Sequence, residues 1–159
     1  NITAFVLTVL PFFIILMYYK IFYEVIFAHA TFLFLIILIR EMIKDLENIE
    51  GDLSNSYQTI PVNYGENFSK KIISLLLLCT VVPVYFLINV YDVGHMDIYF
   101  YISYILLLIF VLKLWNSEGK VDYIKLHFLL KIILLAGVIC IVLIKPTVIE
   151  NGQKLLLIR

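Results

Sequence analysis

Charge is scarce in this sequence. Of its 159 residues only 15% are Asp, Glu, Lys or Arg, against 63% hydrophobic residues and a mean hydropathy of +1.02, a balance that excludes an ordinary soluble globule and marks an integral membrane protein. The few charges also cancel, with 12 Lys and Arg against 12 Asp and Glu. No basic excess is left to displace counterions from a phosphate backbone, which argues against nucleic acid as a partner. Cysteine is nearly absent: Cys79 and Cys140 both sit inside apolar runs, at a spacing that fits neither a zinc site nor a redox pair, and read as packing residues. The alternation of apolar and polar residues that a barrel strand keeps over about ten positions is missing, as are heptads, repeats and low-complexity segments. The chain enters an apolar run directly after Asn1, with no basic leader region or small-residue cleavage site, and is expected to be an N-terminally truncated, C-terminal piece of a longer protein.

What is present is a series of apolar runs. They predict an all-α, polytopic transmembrane helix bundle with spans near residues 2–19, 21–39, 72–91, 98–112 and 123–144, given that about 20 residues cross a hydrocarbon core. Pro11 and Pro83 are expected to kink the first and third spans. His29, inside the second, reads as a neutral, hydrogen-bonded packing histidine. Arg40, Lys44, Lys70 and Lys71 flank a polar insert at 40–71, and Lys113, Lys120 and Lys125 flank the turn between the last two spans. The positive-inside bias puts both on one side, the cytoplasmic one, and puts the connector Asp92 to Asp97, which has no Lys or Arg, on the other. Lys20, Lys145, Lys154 and Arg159 then fall outside, against that bias. The expected location is a bacterial inner membrane.

The insert is where chemistry is expected. If the second helix continues past Arg40, its 3.6-residue period gathers Glu41, Asp45, Asn48 and Asp52 on one face while Glu47 and Glu50 point away. Gly51 is then expected to break the helix just before Asp52. Oxygen ligands at a membrane surface suit Mg²⁺, which is usually shared with substrate phosphates, and Arg40 and Lys44 lie one turn apart where both reach the same phosphates. The competing reading is a solvated helix end with Glu and Lys paired along the helix. The stretch 48–65, rich in turn formers, reads as a loop longer than two adjacent helices require, and such loops are usually functional.

REMIKDLENIEGD followed by QTIPVNYG resembles the second aspartate-rich motif of the UbiA-type intramembrane prenyltransferases and the segment that follows it, matching in order the acids, Gly51-Asp52, Thr59, Pro61 and Gly65. Within the family it is similar to the geranylgeranylglycerol-phosphate geranylgeranyltransferase and digeranylgeranylglyceryl-phosphate synthase branch. The resemblance implies nine spanning helices, of which those here are the fifth to ninth, so that residues 1–159 form the C-terminal part of one prenyltransferase domain. It implies a first aspartate-rich motif upstream, without which this piece alone is inactive. Asn48 departs from the family pattern, which usually has an aspartate there; its amide oxygen still ligates a metal but brings no charge.

The resemblance further implies Mg²⁺-dependent transfer of a prenyl group from an allylic isoprenoid diphosphate to a lipid or aromatic acceptor, within a lipid bilayer. Asp45, Asn48 and Asp52 are the expected metal ligands and Arg40 and Lys44 the expected diphosphate contacts; no side chain is assigned as catalytic. A non-catalytic helix bundle or a transporter fragment is the rival, and it would favour ionisable or helix-breaking sites near the membrane midplane instead of acids crowded at one face.

Overall fold

Seven helices occupy the residues described by the computed structural model, which are 24–91 and 93–140. In chain order they are α1 (Glu24–Glu47), α2 (Ile49–Ser54), α3 (Ile60–Tyr64), α4 (Glu66–Cys79), α5 (Val81–Asn89), α6 (Asp97–Trp115) and α7 (Lys120–Cys140). Among the described residues four stretches are long and apolar enough to cross a membrane: Val25–Glu47, Glu66–Asn89, Asp97–Trp115 and Lys120–Cys140. These are the second to fifth expected spans; the first, 2–19 with Pro11, lies outside the described residues, as do Lys20 and everything beyond Cys140.

Each long helix buries one stripe at helical spacing. Phe32, Ile36, Ile39 and Ile43 are fully buried on α1; Phe100, Leu107, Phe110 and Leu114 face inward from α6, and Tyr123, Leu126, Leu130 and Ile133 from α7. The remaining faces stay apolar yet exposed, as at Leu108, Leu112, Leu135 and Val138. In water so much exposed hydrocarbon would drive aggregation, whereas in a bilayer lipid chains cover it. The chain is therefore an all-α bundle whose solvent is lipid on the outside. α1 packs most extensively on α7 and also on α4 and α5, while α6 packs on α7 and closes the ring more loosely against α4 and α5.

The third span is interrupted at Thr80, between α4 and α5. Pro83 has no N–H to donate to the Cys79 carbonyl one turn back, so the helix cannot run through, and the Thr80 hydroxyl donates to the Leu77 carbonyl at 2.6 Å. The helix is thus interrupted one turn before Pro83, where a kink was expected. Cys79 is exposed at this break and Cys140 is half-buried, both free thiols. His29 is buried edge-on against Phe100, with ring centroids 5.9 Å apart; the hydrogen bond expected of it is absent among the described residues.

A close approach between helices is made at Gly137. A Cβ there would lie 2.5 Å from the Tyr99 hydroxyl and 3.1 Å from Leu33. Tyr99 cannot easily yield, because its hydroxyl donates to the Ile133 carbonyl at 3.1 Å and its ring is almost fully buried. Gly137→Val should therefore destabilise the bundle by about 1–3 kcal/mol, the usual cost of overpacking. A lowered unfolding midpoint in detergent checks this, and an unchanged midpoint contradicts the packing described.

Candidate functional site

α1 does not stop where the apolar run ends at Ile39 but continues to Glu47, as the periodic acids require. The break comes at Asn48, three residues earlier than expected from Gly51, which instead sits inside α2. Asn48 causes this locally: its Nδ2 donates to the Lys44 carbonyl at 3.1 Å, a side-chain bond that competes with helix continuation. With the amide nitrogen committed to the helix, the amide oxygen is the side chain's remaining acceptor.

The chain then reverses. Ser54 Oγ and Asn55 Nδ2 both donate to the Gly51 carbonyl at 2.8 Å, ending α2, and Ser56 adopts a left-handed φ of 57°. The Tyr57 N–H donates to the Asp52 carbonyl at 2.9 Å. This folds residues 57–59 back over the end of α1. The stretch 48–65 read as loop is therefore mostly two short helices and a tight reversal. Gly65, with φ +85°, links α3 to α4 in a conformation that other residues adopt only with strain.

The reversal encloses a cavity of about 360 Å³ lined by Lys44, Asp45, Asn48, Asp52, Tyr57, Gln58 and Thr59. Four of the five residues singled out from the sequence thus line one cavity. Its lining carries two carboxylates and one ammonium, a formal net charge of −1, which suits a cation. Among the described residues no three His, Cys, Asp or Glu side chains gather to hold a metal ion. The donors here are two carboxylates and one amide, an oxygen set that suits Mg²⁺ where water and substrate phosphates complete the shell.

Arg40 is not in the lining. Its Nε donates to His127 Nε2 on α7 at 3.0 Å, and its Nη1 lies 3.5 Å from Glu41. Glu41 also pairs with Lys44 at 3.6 Å and stays out of the cavity. Glu47 does point away from the cavity, as the helical period requires, but into the bundle and not into solvent: it meets His127 Nδ1 at 3.1 Å. Glu50 is exposed.

Tyr57, Gln58 and Thr59 were given no role in the site from the sequence, although Thr59 belongs to the motif that carries the family resemblance. The signal for them was the pair of turn formers Asn55 and Ser56, which must send the chain back towards Asp52. Thr59 is the N-cap of α3 but makes no side-chain cap bond, and Pro61 in the first turn lacks one of the N–H groups such a cap would use. Its hydroxyl is buried without a hydrogen-bond partner among the described residues.

The insert and the α6–α7 turn share one end of the bundle. Lys70 Nζ, buried near the start of α4, donates to the Ser117 carbonyl at 2.7 Å, and Tyr123 on α7 donates to Glu66 at 3.0 Å. The two segments therefore lie on the same side of the bundle, as the distribution of Lys and Arg requires of them.

The chain is 34% identical over 77 residues to the digeranylgeranylglyceryl phosphate synthase of Methanosphaera stadtmanae, covering 45% of this chain and 27% of the relative. It is 29% identical over 93 residues to the enzyme of that name from Methanobrevibacter smithii, covering 57% and 32%, and 28% identical over 114 residues to that of Sulfurisphaera tokodaii, covering 67% and 40%. The matched stretch thus spans less than a third of the length of each of the first two relatives. No family model matches the chain, and no solved structure does. The relatives are archaeal, so the expected bacterial inner membrane has no support, while the apolar helices do mark an integral membrane protein. The chain is similar to the digeranylgeranylglyceryl phosphate synthases, which are UbiA-type prenyltransferases, as its aspartate-rich insert leads one to expect.

Proposed function

We propose that this chain supplies one half of the diphosphate site of an enzyme that transfers a prenyl group from an allylic isoprenoid diphosphate to an acceptor. The carrying observation is the single cavity that gathers Lys44, Asp45, Asn48 and Asp52 at one end of a membrane bundle. The similarity to synthases of digeranylgeranylglyceryl phosphate favours a geranylgeranyl donor and a glyceryl phosphate lipid as acceptor. The site end is assigned to the cytoplasmic side by the excess of Lys and Arg there.

In this reading Asp45 and Asp52 would hold Mg²⁺ with their carboxylates and Asn48 would add its amide oxygen. Magnesium held there would supply positive charge against the negative charge that develops on a diphosphate leaving group. Lys44, half-exposed at the rim, contacts the diphosphate directly. Arg40, held by His127 and Glu41, supports the helix end from behind in place of the direct contact expected of it. The apolar outer surface lets the prenyl chain reach the site from the bilayer, where donor and acceptor are both dissolved.

The test is Mg²⁺-dependent release of diphosphate by the full-length protein supplied with a long allylic diphosphate and a glyceryl phosphate lipid. Absence of release with any isoprenoid donor would overturn the reading. Asn48→Asp, which adds a charged ligand at a position that already faces the cavity, should lower the half-saturating magnesium concentration about three- to tenfold. A magnesium titration of turnover checks this.

A further inference from the structure

We infer that His127, on α7 and outside the cavity, is a positioning residue for the diphosphate site. The inference rests on the diphosphate reading proposed above.

The argument begins with the imidazole's two bonds. Arg40 has only donors, so the 3.0 Å contact from its Nε makes His127 Nε2 an acceptor. The ring is then the tautomer with its proton on Nδ1, which donates to Glu47 at 3.1 Å. One neutral ring thereby satisfies a cation and an anion on the neighbouring helix.

Arg40 and Glu47 are seven residues apart, so they stand two turns apart on one face of α1. Lys44 and Asp45 lie between them in sequence, and Asn48 follows directly. The His127 bridge therefore spans the turns of α1 that carry the cavity's first residues. At the Asn48 break these turns are tied within their own segment, by Asn48 to the Lys44 and Asp45 carbonyls, and the bridge adds a tie to a second helix. The anchor is partly desolvated: the His127 side chain is 14% exposed and that of Glu47 18%.

Groups facing the bridge are Arg40, Glu41, Lys44 and Glu47 on α1, with Tyr123 and Lys131 one turn either side of His127 on α7. Tyr123 is engaged with Glu66 and Ser117, and Lys131 is exposed. His127 is thus the group on α7 that meets both charges of α1.

Glutamine keeps the chemistry, with a carbonyl oxygen to accept from Arg40 and an amide N–H to donate to Glu47, whereas leucine fills the space and offers neither. The experiment measures binding of inorganic diphosphate with Mg²⁺ to the full-length protein, alongside its prenyl turnover, for the wild type, His127→Gln and His127→Leu. The Leu variant should bind diphosphate about tenfold more weakly and show a matching rise in KM with kcat nearly unchanged, since losing both bridge bonds loosens ligand positioning. The Gln variant should stay within about threefold of the wild type. Equal binding by wild type and Leu variant, equal damage by Gln and Leu, or a fall in kcat alone overturns the positioning role. A wild type that binds diphosphate without turnover overturns the prenyl-transfer reading and leaves the bridge test standing. A wild type that binds no diphosphate overturns both.

Discussion

Replacing Asp45 or Asp52 by alanine in the full-length protein should lower prenyl turnover by about 100-fold or more, with the unfolding midpoint little changed. The size follows from the role: a carboxylate that holds the charge opposing a departing diphosphate acts where charge develops, and losing one such contact costs on the order of 100- to 1,000-fold. The small stability effect follows from the location, because both side chains line a cavity and are not part of the buried stripe of α1. Part of the loss should be recovered by raising magnesium, since each variant retains the other carboxylate and Asn48. Glu50→Ala is the control: Glu50 is exposed and outside the cavity lining, so turnover stays near wild type. Initial rates of diphosphate release across a magnesium series distinguish these outcomes. Full activity in both Asp variants would remove the assigned roles.

Lys70→Leu should destabilise the bundle by about 2–3 kcal/mol, the range for removing one member of a buried, hydrogen-bonded polar group. Lys70 is 5% exposed, and its ammonium donates to the Ser117 carbonyl at 2.7 Å, lies 4.0 Å from Glu66 and sits 5.8 Å from the centre of the Tyr123 ring. Leucine leaves the Ser117 carbonyl without that donor and Glu66 with Tyr123 alone. The neighbouring Lys71 is exposed, so Lys71→Leu should stay within about 0.5 kcal/mol. Denaturation of the purified protein in mixed micelles reads both, and equal effects would show that Lys70 does not tie α4 to the α6–α7 turn.

The spans were legible because lipid imposes one rule on all of them, a continuous apolar run of sufficient length. Their ends were not. α4 begins at Glu66 and not at Ile72, and α1 runs on to Glu47, because helices extend beyond the hydrocarbon with polar residues that hydropathy cannot see. Pro83 announced its break plainly, since the lost N–H acts in any helix. Within the site, Asp45, Asn48 and Asp52 were legible from spacing and from the family resemblance. The helices Ile49–Ser54 and Ile60–Tyr64 were not, being too short to show a period and built from residues that favour turns. Gln58 and Thr59 join the cavity through a backbone reversal, which leaves only weak marks in sequence. Arg40 illustrates the limit most clearly. Its spacing suited a phosphate contact, but its actual partner lies 87 positions away on α7, and nothing local encodes that.

The cavity's lining residues all fall within one stretch, Lys44 to Thr59, and its shape comes from bonds within that same stretch, at Asn48, Gly51 and Tyr57. A growing chain therefore carries this half-site in outline before α6 and α7 have left the ribosome. His127 reaches α1 only when α7 docks, so a helix made later fastens chemistry laid down before it.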